Sequence, residues 1–310
     1  MIPSTFDQPT ILAAIVAATG ESAKSLAPIE RAGAVNIVLV AVLESGRRVI
    51  VRVNTAGEHW RFEKEAWCIA QAQAIGVAAP AVLSLGSSEQ DSWMIESELP
   101  GRSGDRIPSP DRPAVWLQIG TSLAKIHQIA VGGFGQTLAE MASGGETKWR
   151  RYLEYNLAQL DHHDPLLALG LLNPARQANL RAAIEQLARL QPRLGLSHGD
   201  LSLRNVIVQG QGATLIDWGC AEGHLVPHWD LGLVAGSVMP DDAPAFSALL
   251  TGYGLDQADY LAIRPNIERL RLLEATDKVR WALERNPGEL PRLAARLRRT
   301  WRRLGNSLAS

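Results

Sequence analysis

The stretch Leu196–Asp217, LSHGDLSLRNVIVQGQGATLID, constrains this chain more than any other segment, because it sets a loop, a hairpin and three polar side chains in a fixed order. Asp200 and Asn205 lie on an irregular loop, and the run Val206-Ile207-Val208, the Gly210/Gly212 turn and Ala213-Thr214-Leu215-Ile216 then predict a β-hairpin. A hairpin returns the chain to where it began, so Asp217 is expected beside Asn205. Oxygen ligands so placed suit a hard cation such as Mg²⁺. Asp200 is left as a separate carboxylate nearby, free to accept a proton.

The rest of the chain bounds what can surround that loop. With 310 residues, 46% hydrophobic and 20% charged, there is enough apolar sequence for two packed lobes and too much for disorder. Cys68 and Cys220 are too few for a disulfide framework and fit a reducing compartment. The N-terminus lacks a basic region, and the apolar run Ile11–Ala18 is too short to span a bilayer, so a cytoplasmic protein without a membrane partner is expected. A net charge of −1 gives no general attraction to nucleic acid. Six arginines between Arg292 and Arg303 fall on a helical pattern whose apolar positions are Leu293, Leu297, Trp301 and Leu304, which reads as the solvated face of a packed helix.

Element type changes along the chain. A helix is expected over Gln8–Thr19, strands over Asn36–Leu43 and Arg48–Val53 around a Ser45-Gly46 turn, a helix over Glu58–Ala74, and strands over Ala81–Leu85 and Ser92–Ser97. From Pro108 onward the patterns are helical, near 111–128, 147–160, 174–190, 242–253, 265–284 and 289–304, with only the central hairpin interrupting them.

His198-Gly199-Asp200 with Asn205 resembles the HxDxxxxN catalytic loop of the kinase superfamily, and Asp217-Trp218-Gly219 is similar to its metal-binding DFG. Glycine after the histidine resembles the aminoglycoside phosphotransferase and choline kinase branch. The resemblance covers nearly the whole chain. It implies an α+β, protein-kinase-like two-lobed fold, with an N-terminal antiparallel sheet lobe over 1–98 for the nucleotide and a larger, mainly helical C-terminal lobe over 99–310 for catalysis and substrate. It also implies ATP or GTP and Mg²⁺ as cofactors, a small-molecule hydroxyl acceptor as partner, and a monomer or homodimer. Asp200 would accept the hydroxyl proton, and Asn205 and Asp217 would hold Mg²⁺. The local alternatives are a turn aspartate and Asx-turn hydrogen bonds at the hairpin ends. His198 would support the loop, and Asp230 would tie its backbone to a helix start.

Arg52 departs from the pattern. In Val49-Ile50-Val51-Arg52-Val53 the alternation places Arg52 on the face opposite the valines, where kinases carry a phosphate-reaching lysine. Glu65 lies beside the apolar stripe of its helix, three residues after Phe62 and four before Ile69, and a carboxylate there needs a cation; Arg52 and Arg61 are the two choices. By resemblance Arg52 and Glu65 contact the nucleotide, Gly33 and Asn36 sit in the loop over the phosphates, and Ile95–Gly101, with Glu96 and Glu98, forms the hinge beside the base. Gly33 stands in a loop without GxGxxG, and no Gly-Lys pair occurs anywhere, so no Walker loop is present. Arg204 either neutralises the transferred phosphate or braces Asp200.

The acceptor is left open. A polycationic aminoglycoside calls for acidic side chains, for which Asp241, Asp242, Asp256 and Asp259 are candidates, unless they cap helices. A metabolite such as homoserine, choline or a sugar needs only a few placed polar groups. A protein acceptor fits less well, since the 12 residues between Asp217 and Asp230 include no Ser, Thr or Tyr. Arginine at 52 and the glycine-poor loop also suit a nucleotide-binding pseudokinase.

Overall fold

A computed structural model describes residues 6–29, 36–191, 193–237 and 242–304. Gly33 and Asp241 lie outside them. The first part is a five-stranded antiparallel sheet flanked by two helices: α1 (Gln8–Thr19), β1 (Ala23–Pro28), β2 (Ile37–Leu43), β3 (Arg48–Thr55), α2 (His59–Ala74), β4 (Val82–Ser87) and β5 (Asp91–Ser97), with strand order β1-β2-β3-β5-β4. β1 is a strand that hydrophobic patterning does not announce. Its sequence AKSLAP has little β-branched character and ends in proline, which an edge strand tolerates because its outer N–H groups need no partner.

The alternation expected in β3 is realised. Val49, Val51 and Val53 are buried with Leu39, Ala41 and Leu43 of β2 against Ile11 and Ile15 of α1. Each Val, Leu or Ile side chain buried this way stabilises by about 1.5–3 kcal/mol. Arg52 therefore emerges on the opposite face, towards α2. Asp7 caps α1 by accepting from the Thr10 amide, and Gly20 closes it in the left-handed conformation.

The chain then passes through β6 (Arg102–Ser103) into a larger helical part: α3 (Arg112–Ile126), α4 (Leu138–Ala142), α5 (Gly145–Ala158), α6 (Pro165–Ala168), α7 (Pro174–Ala188), β7 (Leu194–Ser197), β8 (Val206–Gln209), β9 (Gly212–Leu215), β10 (Glu222–Leu225), α8 (His228–Ser237), α9 (Ala243–Tyr253), α10 (Gln257–Arg285) and α11 (Leu290–Leu304). The result is a kinase-like, two-lobed α+β fold. The expected hairpin forms, Val206 opposite Leu215, and β6 pairs with its outer side through Arg102 and Val208. A second pair interrupts the helices, which patterning did not reveal: β10 runs antiparallel to β7, Glu222 opposite Ser197. Both strands are four residues long, and they lack the glycine turn that marks the equally short β8 and β9 as a hairpin.

Helix α10 begins eight residues before the expected start at Pro265. Asp256 and Asp259 form a capping box there, and the helix continues through Pro265. One core runs from Cys68, Ile69 and Ala72 of α2 through α3 and α9 to Val206, Leu215 and Trp218 beside the hairpin. A second joins α5, α7, α10 and α11 around Trp149, Leu180, Leu273 and Trp301. Among the described residues no helix is long and apolar enough to cross a membrane.

Candidate active site

The loop between β7 and β8 carries Asp200 and Asn205. The Asn205 side-chain amide donates to the Asp200 carbonyl at 2.9 Å and to Asp200 Oδ2 at 2.8 Å. The backbone amide of Ile216 donates to the carbonyl of Asn205 at 3.0 Å, so the returning strand delivers Asp217 beside the loop as the hairpin requires. Asp217 has φ of 61°, the left-handed region that aspartate tolerates better than most residues, and its side chain is 47% exposed, so it faces open space.

His198 is fully buried. Its Nε2 lies 3.2 Å from the Ile216 carbonyl and its Nδ1 3.4 Å from the Asp200 amide, and burial lowers its pKa, which favours the neutral ring as a brace. Asp230, in the first turn of α8, holds the loop from behind. Oδ2 accepts from Ser197 Oγ at 2.8 Å and the His198 amide at 3.1 Å, and Oδ1 accepts from the Gly199 amide at 3.0 Å. His127 Nε2 completes the set, 2.9 Å from Oδ2. Burial alone would raise the Asp230 pKa; the hydrogen bond and charge of His127, with the loop amides, outweigh it and hold the carboxyl below its ordinary range. His127 was not legible in the sequence, since it sits at the end of α3 with nothing to mark its partner far along the chain. Gly199 has a φ of +77°, and a Cβ there would overlap the carbonyl oxygen of Cys220. That overlap gives the glycine of His-Gly-Asp a steric reason in this chain.

Across the junction with the sheet lobe stands Arg52. It is 7% exposed and paired with Glu65, while Arg61 pairs with Glu58 at the surface. Arg52 also lies 3.8 Å from Glu96 Oε2 and 3.3 Å from Asp217 Oδ1, so one guanidinium joins β3, α2, β5 and the loop after β9. Burial by itself lowers its pKa, but the charges of Glu65, Glu96 and Asp217 outweigh this and hold it above the ordinary range. Burial pushes the Glu96 carboxyl up to about 7 against the pull of Arg52. The Glu96 side chain is thus directed into the charge cluster.

Glu98 pairs instead with Arg48 at 2.7 Å near the surface. The sheet ladder ends at Ser97, opposite Val49, so the backbone leaves the sheet from Glu98 onward. Asn36 accepts from the Asn54 side chain at 2.8 Å, at the entrance to β2. Arg204, exposed, donates to both Asp200 oxygens at 3.1 and 3.3 Å and braces that carboxylate. Asp242 caps α9, and Asp256 and Asp259 cap α10, so three of the four candidate acidic residues have a structural use. His224 is buried and stacked on Trp229 at 4.2 Å between centroids.

Lys64, one residue before Glu65, is a further residue that sequence patterning missed. It is 3% exposed, and its Nζ donates to the carbonyls of Gly219 at 2.6 Å and Ala221 at 2.8 Å. A lysine on a mixed helix looks like a surface residue until the loop it meets is known.

Similar folds occur among solved structures. The macrolide 2'-phosphotransferase MphH from Brachybacterium faecium, in its apo form, is 18% identical, with 94% of this chain and 97% of that chain covered and a TM-score of 0.66. A thermostable mutant of the aminoglycoside phosphotransferase APH(4)-Ia, in ternary complex with ADP and hygromycin B, is 17% identical over 94% of this chain and 98% of that one, at a TM-score of 0.69. The GDP and kanamycin complex of APH(2″)-IIia is 13% identical over 96% and 99%, at 0.67. At these identities the likeness concerns the fold. No curated protein matches the sequence. The profile of the phosphotransferase enzyme family APH matches residues 31–273, from between β1 and β2 through the loop of Asp200 and into α10, and the chain belongs to that family.

Proposed function

We propose that this phosphotransferase moves the terminal phosphoryl group of ATP or GTP, with Mg²⁺, to a hydroxyl of a small molecule. The observation that carries the proposal is the hydrogen-bonded pair Asp200 and Asn205, with Asp217 brought beside it by the hairpin and tied to Arg52 of the sheet lobe. The donor chemistry fits the metal. The Asn205 amide hydrogens are occupied by Asp200, which leaves its Oδ1 for a cation, and Asp217 presents an exposed carboxylate. Two protein oxygens are few, and among the described residues no three His, Cys, Asp or Glu are grouped to hold a metal alone. Mg²⁺ suits such a site because it keeps waters and takes phosphate oxygens as further ligands. When bound it would neutralise charge on the phosphates.

The chain's own residues supply position and a proton acceptor. Asp200 receives the proton of the acceptor hydroxyl as the new oxygen–phosphorus bond forms and the bond to the leaving diphosphate breaks. Arg204 and Asn205 fix the direction of that carboxylate. Arg52, held by Glu65, presents a permanent positive charge towards the phosphates. Gly33 and Asn36 would lie over the phosphates, and the backbone leaving β5 at Glu96–Glu98 would meet the base. The solved structures of APH(4)-Ia with ADP and hygromycin B and of APH(2″)-IIia with GDP and kanamycin each hold a nucleotide and a small molecule, which supports a nucleotide donor and a small-molecule acceptor here.

The test is consumption of ATP and of GTP with Mg²⁺ across a panel of aminoglycosides, macrolides, choline, homoserine and sugars, run beside Asp200→Asn. Acceptor-dependent turnover is expected, falling by roughly 10²–10⁴ in the variant as loss of a general base implies. Equal turnover in the two proteins sinks the assignment of Asp200.

A further inference from the structure

A buried lysine must place its charge somewhere, and the ion pairs among the described residues do not include Lys64. Its ammonium instead donates to two backbone carbonyls, that of Gly219 within the turn Trp218–Cys220 directly after Asp217 and that of Ala221 just past it. This segment is a single 3₁₀ turn. Its internal hydrogen bond, from the Ala221 amide to the Trp218 carbonyl at 2.9 Å, does not involve the carbonyls that Lys64 takes. The segment begins at the left-handed Asp217, a conformation that persists where surrounding contacts hold it.

Lys64 and Glu65 are neighbours on α2 and diverge by the helical turn angle. One reaches the loop's backbone, and the other holds Arg52, which reaches the Asp217 carboxylate. Gly219 lies at the meeting point: a Cβ added there would stand 3.4 Å from Glu65 Oε2, 3.5 Å from Asp217 Oδ1 and 3.7 Å from an Arg52 nitrogen. α2 therefore grips the loop twice, once by backbone and once by side chain.

We propose that Lys64 is a positioning residue for phosphoryl transfer. By pinning the Gly219 and Ala221 carbonyls to α2, it holds Asp217 in its left-handed, outward-facing conformation before nucleotide arrives. The proposal rests on the phosphotransfer assignment for the purpose of the loop, and on the hydrogen bonds alone for the clamp.

Two variants test it, Lys64→Met, which keeps the apolar stem and removes both donors, and Lys64→Arg, which restores a cationic donor. Ile69→Ala, which opens a cavity under the same helix but leaves the Lys64 donors in place, controls for general loosening of α2. Amide exchange of the nucleotide-free proteins is expected to quicken over 218–222 by about tenfold or more in Lys64→Met, with partial recovery in Lys64→Arg and no such local change in Ile69→Ala. The Mg²⁺ concentration that half-saturates binding of the analogue AMP-PNP should rise in the same order.

Unchanged exchange over 218–222 in Lys64→Met overturns the clamp, as does an equal response in Ile69→Ala. Quickened exchange with unaltered Mg²⁺ dependence overturns the positioning role. If the wild-type protein binds no AMP-PNP with Mg²⁺, the phosphotransfer assignment fails and the positioning role with it, while exchange still decides whether Lys64 holds the loop.

Discussion

Arg52 lies 3.3 Å from Asp217 and is also paired with Glu65, so a single guanidinium links the sheet lobe to the loop that follows the hairpin. Removing it strands carboxylates. Arg52→Met leaves Glu65 and Glu96 buried without their cation, and breaking a buried pair in this way costs about 3–5 kcal/mol. Arg52→Lys keeps a charge but cannot reach Glu65, Glu96 and Asp217 with one fork, so it should fall between. Urea denaturation of the three proteins checks the order, and AMP-PNP titration should weaken in the same sequence. A methionine variant as stable as wild type would show that the pair carries no weight.

That relationship also marks where the sequence was readable. Val49-Ile50-Val51-Arg52-Val53 alternates cleanly, and α2 sets Glu65 beside an apolar stripe, so the meeting of Arg52 and Glu65 follows from two local periodicities facing each other. The return of Asp217 to Asn205 follows from a hairpin with a glycine turn. Lys64 and His127 were not readable for a different reason: each is defined by a partner that lies far along the chain, the Gly219 and Ala221 carbonyls for one and Asp230 for the other. β7 and β10 escaped because four residues do not establish a period and, unlike β8 and β9, the two are not joined by a tight glycine turn. The acidic residues near α9 and α10 divide along the same line, since a capping box is a local pattern while an acceptor pocket is assembled from distant segments.

Asp230 should behave as a support for the loop. Asp230→Asn replaces one acceptor oxygen with a donor facing Ser197, His198, Gly199 or His127, all of which donate to the carboxylate now. An unsatisfied buried group of this kind costs about 1–3 kcal/mol, more where a charge was involved. Turnover should fall while nucleotide affinity changes little, because Asp200 moves and Arg52 does not. Kinetic constants and nucleotide titration measured on one preparation separate the two; a loss confined to nucleotide affinity would contradict the support role.

The same carboxylate gives an acid limb. Its folded pKa lies below the ordinary aspartate value of 3.8, so its stabilisation is present above that value and is lost as pH falls through the folded pKa. Thermal melts from pH 6 down to pH 2 should therefore converge for wild type and Asp230→Asn at the acid end. A constant gap between the two proteins across this range would place the proton elsewhere.

Glu222 gives the opposite sign. It begins β10, is buried, and its carboxyl is pushed by burial up to about 7, against the opposing pull of Lys278, Gln136 and Lys64. The folded state therefore holds a proton that the unfolded chain, at 4.5, releases earlier, and this contribution to stability is fully present below 4.5 and lost as pH rises towards 7. At about 1.4 kcal/mol for each pH unit of difference, the loss across that window is about 3 kcal/mol. Glu222→Gln keeps the shape and has no proton to lose. The variant should match wild type near pH 4.5 and exceed it increasingly up to pH 7, after which the gap becomes constant. Denaturant titrations at half-unit intervals give the curve, and a gap that shrinks with rising pH would mean that Glu222 is ionised in the fold and held by Lys278.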